Sequence, residues 1–108
     1  MSISKGMDFS MNKIDRKEKN PGLYEAILKI GSVEECMDFF DDLCTVAELR
    51  AMEQRIEVAM LLDEGNNYNA ILDKTGASSA TISRVNRSLR YGKDGYKRVL
   101  ARLKEEEQ

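Results

Sequence analysis

Gly76-Ala77-Ser78-Ser79-Ala80-Thr81-Ile82-Ser83-Arg84-Val85-Asn86-Arg87-Ser88-Leu89-Arg90 is a glycine-led turn running into an amphipathic helix. Ile82, Val85 and Leu89 recur at the spacing of one helical face, and that face must be buried. Where the helix starts, Ser78, Ser79, Ala80, Thr81 and Ser83 are all small or hydroxylic, so the first-turn amide N–H groups can approach an anion closely. Arg84, Arg87 and Arg90 then place a cation on each successive turn, and no acid occurs from Gly76 through Gly92. A helix serving only as structure would more often pair Glu with Lys on its solvated side.

Just upstream, a short segment from about residue 67 to 75 presents Tyr68, Ile71 and Leu72 as an apolar face. Helix, glycine-containing turn and second helix together make a helix-turn-helix over about residues 67–91, in which the second helix enters the major groove. Ser79, Ala80, Thr81 and Ser83 are the expected base contacts, and Lys74, Arg87, Arg90 and Lys93 the expected phosphate contacts. Asn67, Asn69 and Ser78 complete the candidate DNA-binding set.

Upstream again, Thr45-Val46-Ala47-Glu48 is a capping-box pattern that opens a long helix ending at Glu64-Gly65-Asn66-Asn67. Val46, Leu49, Met52, Ile56 and Ala59 form one stripe on it and Val58, Leu61 and Leu62 a second, so contact on two sides is expected. Ser32-Val33-Glu34-Glu35 repeats the capping pattern ahead of Cys36, Met37, Phe39, Phe40 and Leu43. Leu23, Ile27 and Ile30, stopped by Gly31, trace a first helix. Downstream, Tyr96, Val99, Leu100 and Leu103 give a last helix over about residues 94–106. Residues 1–20 lack a sustained period and read as a mobile arm, in which Lys5, Lys13, Arg16, Lys17 and Lys19 could meet phosphates; residues 21–108 form a single helical domain.

Composition narrows the function. A chain of 108 residues encloses one modest core and leaves no room for a second, catalytic domain. With no histidine and only Cys36 and Cys44, it offers no zinc-finger spacing and no Cys-His nucleophile, and no phosphate-binding glycine motif appears; no catalytic residue, metal site or bound cofactor is expected. The longest apolar run, Val58-Ala59-Met60-Leu61-Leu62, is far short of the roughly 20 residues of a membrane span, and a cytoplasmic protein is expected. The net charge of −2 conceals a sorting of charges. Residues 31–64 carry Glu34, Glu35, Asp38, Asp41, Asp42, Glu48, Glu53, Glu57, Asp63 and Glu64 against Arg50 and Arg55. Residues 77–104 carry Arg84, Arg87, Arg90, Lys93, Lys97, Arg98, Arg102 and Lys104 against Asp94 alone. A basic C-terminal third suits one phosphate-facing surface, though a solvated charged surface would show the same sorting.

The run Glu48-Leu49-Arg50-Ala51-Met52-Glu53-Gln54-Arg55-Ile56, then Leu61-Leu62-Asp63-Glu64-Gly65, then Gly76 through Arg84 and on to Ser88-Leu89, resembles the Trp repressor family, more closely its YerC/YecD-like branch. The resemblance covers about residues 43–89 well and the flanking helices more loosely. It implies an all-α, six-helix, intertwined homodimer that presents two reading heads about 34 Å apart to successive major grooves of a near-palindromic operator. The surplus of apolar surface on the first three helices points the same way.

The resemblance also carries a corepressor site onto Thr45, Arg55, Arg84, Val85 and Ser88. Both arginines suit a carboxylate or a planar ring. Family members have glycine where this chain has Val85, and proline where it has Val46. Two added methyl groups in a tight slot cost roughly 1–3 kcal/mol. Tryptophan is therefore not the expected corepressor; another small effector, or none, is. Arg55 equally suits a salt bridge to Glu34, Glu35 or another acid of the body. The expected function is a sequence-specific DNA-binding regulator, a repressor acting on double-stranded DNA as a homodimer. The competing reading is a helical adaptor whose basic face meets an acidic protein.

Overall fold

The computed structural model describes residues 18–106, and these form six helices and no strand: α1 (Pro21–Ile27), α2 (Val33–Leu43), α3 (Val46–Asp63), α4 (Tyr68–Thr75), α5 (Ser79–Tyr91) and α6 (Gly95–Glu106). Two compact units divide between Leu43 and Cys44. Residues 1–17 of the expected arm, with Lys5, Lys13, Arg16 and Lys17, lie outside the described residues.

In the first unit Asn20 caps α1, its side-chain oxygen accepting from the Gly22 N–H at 2.9 Å, and Pro21 occupies a first-turn position where a missing N–H costs nothing. The apolar spacing predicts a helix reaching Ile30, but α1 ends at Ile27. Lys29 and Ile30 bond instead three residues back, to Ala26 and Ile27, and this tighter winding ends the helix before Gly31. Ser32 caps α2 as its pattern predicts, accepting from the Glu35 N–H at 3.0 Å. The Glu35 carboxylate reaches one residue further back than a capping box requires and accepts from the Gly31 N–H at 2.6 Å. Neither helix buries a single residue: on α2, Val33 is 70% exposed and Met37 55%.

The second unit holds the core. Thr45 and Glu48 form the full capping box of α3, with bonds of 3.1 and 2.8 Å. At its other end Gly65 is left-handed (φ 94°), Gly65 donates to the Leu62 carbonyl and Asn66 to the Leu61 carbonyl, a Schellman closure of the last turn. Val58, Ala59 and Leu62 of α3 are enclosed with Ile71 of α4, Ala77 of the turn, Ile82, Val85 and Leu89 of α5, and Leu100 of α6. Every buried residue of α3 comes from its C-terminal half; Ala59 closes the stripe that Val46 begins, and Val46 itself is 68% exposed. No polar or charged residue is buried among the described residues, so this core rests on apolar burial alone, about 1.5–3 kcal/mol for each large side chain. Lys104 of α6 meets Asp63 at the end of α3 at 2.7 Å on the surface.

Candidate nucleic-acid interface

Asn67, exposed, caps α4 by accepting from the Ala70 N–H at 2.9 Å, and Asn69 is exposed in the following turn. Lys74 lies in the last turn of α4, where a cation favours the helix dipole, and its ammonium donates to Asn66 Oδ1 at 3.1 Å. Gly76 closes α4 in the left-handed region (φ 72°), its N–H donating to the Leu72 carbonyl. Only two residues separate it from α5, which makes the turn tight. Thr75 reinforces that turn: its hydroxyl donates to the Ile71 carbonyl at 2.7 Å and accepts from the Ala77 N–H at 3.0 Å. From α3, Gln54 Nε2 donates to the Thr75 carbonyl at 3.3 Å.

Ser78 is the N-cap of α5; its Oγ accepts from the Thr81 N–H at 3.1 Å and donates to Thr81 Oγ1 at 3.1 Å. Ser79, Ala80 and Ser83 are exposed on the first turns, while Thr81 is half-buried. Ile82, Val85 and Leu89 point into the core, as their spacing predicts, so the opposite side of α5 carries Ala80, Ser83, Arg84 and Arg87. Arg87, Arg90 and Lys93 are all exposed, and Arg90 Nε donates to Asn86 Oδ1 at 2.9 Å. The exposed surface from the turn to the end of α5 therefore holds hydroxyls, amides and cations, with no carboxylate between Gly76 and Gly92. Along the turn and α5 such a surface sets no carboxylate against a polyanion; on α4, exposed Asp73 precedes Lys74.

The effector set is dispersed in role. Thr45 is occupied as the cap of α3, Arg55 is half-buried on α3, Arg84 is exposed on α5, and Ser88 is exposed with its carbonyl accepting from the Gly92 N–H at 2.9 Å. Val85 is 1% exposed. Among the described residues no hydrogen bond or ion pair links these side chains to one another.

A family model described as Trp repressor protein matches residues 19–104. This chain belongs to the Trp repressor family. It is 50% identical over 97 residues to the protein YerC of Bacillus subtilis (strain 168), itself uncharacterized, a match covering 90% of this chain and 92% of that relative. Among solved structures it is similar to a TrpR-like protein from Eubacterium eligens, at 51% identity and a TM-score of 0.77 over 82% of this chain and 95% of that one. It is also similar to a Trp repressor candidate from Staphylococcus aureus, at 41% identity and a TM-score of 0.74 over 96% of this chain and 95% of that one. The family resemblance and the six-helix fold read from the sequence thus both hold.

Three residues that position the helix-turn-helix escape a reading of the sequence. Gln54 and Thr75 lie 21 positions apart, beyond any local pattern. Asn66, which donates to the Leu61 carbonyl and accepts from Lys74, could have been noticed as the residue after a helix-ending glycine.

Proposed function

We infer that this chain is a sequence-specific DNA-binding transcriptional regulator, a repressor, that binds near-palindromic operators as a homodimer. The observation that carries this reading is the start of α5: an exposed, carboxylate-free, hydroxyl-rich turn held rigidly by its cap and by a fully packed inner face. Family membership supports the same class. Ser79, Ala80, Thr81 and Ser83 take base edges in this reading, with Ser78, Asn67 and Asn69 flanking them, and Lys74, Arg87, Arg90 and Lys93 take phosphates. The exposed apolar faces of α1, α2 and the first half of α3 support a second copy as the element that covers them. No helix among the described residues is long and apolar enough to cross a membrane.

The regulator acts without tryptophan. Val85 stands where family members have glycine, and its side chain, enclosed in the packing of the reading head, takes up the space that a glycine would leave. Arg55 and Arg84 remain the groups to which a different small carboxylate effector would bind.

Selection of bound duplexes from a random or fragmented-genome pool, at near-physiological salt and with no ligand added, tests the reading. Recovery of a palindrome is the expected result. Salt-sensitive binding to an acidic protein with no DNA recovered would favour the adaptor instead. Calorimetric titration with tryptophan is expected to show no micromolar site.

A further inference from the structure

Thr75 is the last residue of α4, and its carbonyl is one of the groups a helix end leaves without an internal partner. It is met by Gln54 Nε2, at 3.3 Å, from the middle of α3. The buried contact between α3 and the reading head is apolar, with Val58, Ala59 and Leu62 against the cluster of Ile71, Ala77, Ile82, Val85 and Leu89. The other polar tie, Asn66 bridging the Leu61 carbonyl and the Lys74 ammonium, runs through an exposed, flexible lysine, whereas Gln54 bonds the backbone directly. Apolar burial is non-directional and permits small sliding and rocking, whereas a hydrogen bond to one carbonyl fixes a register. Gln54 stands one turn before Val58, so the bond sits at the edge of that apolar contact, beside the three-residue turn that launches α5. Thr75 passes the constraint on, because its hydroxyl is bonded on one side to the Ile71 carbonyl and on the other to the Ala77 N–H.

We propose that Gln54 is a positioning residue that sets the pitch of the helix-turn-helix against α3, and so selects the spacing of the two half-sites a dimer reads. The inference rests on the dimeric DNA-binding reading above. Its mechanical basis is that α3 bears both Gln54 and the exposed Val46 end of the stripe that a second copy would cover. A head free to rock about its apolar contact would meet half-sites at several separations; a head pinned at Thr75 meets them at one.

The test uses the full chain and the palindrome recovered by selection, with the half-site separation shortened or lengthened by one base pair, alongside a duplex carrying a single half-site. Wild type is expected to prefer one separation. Gln54→Leu removes the donor and is expected to weaken that preference about two- to tenfold, the range a single hydrogen bond commands, while single half-site binding stays unchanged. Gln54→Glu, which keeps the length but has no donor, should do the same. Gln54→Lys, which restores a donor, should restore the preference. Retention of the wild-type preference by both donor-less variants, or failure of the lysine variant to restore it, would overturn the proposal, as would a wild type that binds DNA with no spacing preference. A wild type that binds no duplex would overturn the DNA-binding reading and the proposal with it.

Discussion

Gly76 and Gly92 are both needed, for different reasons. At Gly76 nothing stands near an added Cβ, so the cost of a side chain is conformational: φ is 72°, a region in which L-residues are disfavoured. Gly76→Ala is expected to lower stability by about 1 kcal/mol in urea unfolding. At Gly92 φ is negative, but a Cβ would collide with the backbone carbonyl oxygen of Ser88, which cannot swing aside as a side chain would. Gly92→Ala should therefore cost about 1–3 kcal/mol, with the shift localised to the end of α5. On the reading surface, Thr81 and Arg87 should separate. Thr81→Ala is expected to reduce discrimination between operator and random duplex, whereas Arg87→Ala should weaken binding to both and lower the salt dependence by about one unit of slope. Equal effects of the two changes on both duplexes would refute that division of labour.

Among the elements, α5 and α3 show what local sequence encodes. The inward face Ile82, Val85 and Leu89, the Thr45–Glu48 capping box and the glycine stops at Gly65 and Gly76 were all legible, because each is fixed by neighbours within four residues. Replacement of Ile82 by alanine should cost about 2–5 kcal/mol, since the side chain is fully enclosed. Replacement of Thr45 by alanine should cost only about 1 kcal/mol, the worth of a cap on an exposed helix start. Illegible features were those decided at a distance or by competition. The Gln54–Thr75 bond joins positions whose proximity only the folded chain creates. The early end of α1 reflects a tighter winding at residues 28–30 that apolar periodicity does not distinguish from continued helix. For α3, periodicity identified two apolar stripes but could not say how far along each is covered from within; the enclosed residues prove to be Val58 and Leu62 of one and Ala59 of the other, all in the C-terminal half. The candidate base-contacting positions follow from the phase of α5, whereas the effector set came from resemblance and the structure gives its members separate local roles.

For the molecule as a whole, the contrast lies between a second unit that closes its own core and a first unit that encloses nothing. A second copy covering α1 and α2 would make unfolding depend on mass action, so the melting temperature should rise with protein concentration. Met37, exposed on α2, offers a direct perturbation: Met37→Glu is expected to remove that concentration dependence and to yield a monomer by light scattering, while leaving the core of α3 to α6 intact. A melting temperature constant over a hundredfold dilution would remove the case for self-association. By contrast, Asp63→Asn, which breaks a surface ion pair with Lys104, should change stability by less than about 1 kcal/mol at any concentration.

The bare helices at the N-terminal end bear on how such a protein would be kept in a cell. Two short helices with no enclosed side chain are easily opened, and opened backbone is what proteases cut. A newly made chain would be cleared while scarce and would persist once copies were numerous enough to shield each other. If copies pair as proposed, abundance would then rise more steeply than the rate of synthesis, a threshold of dosage set by self-association alone.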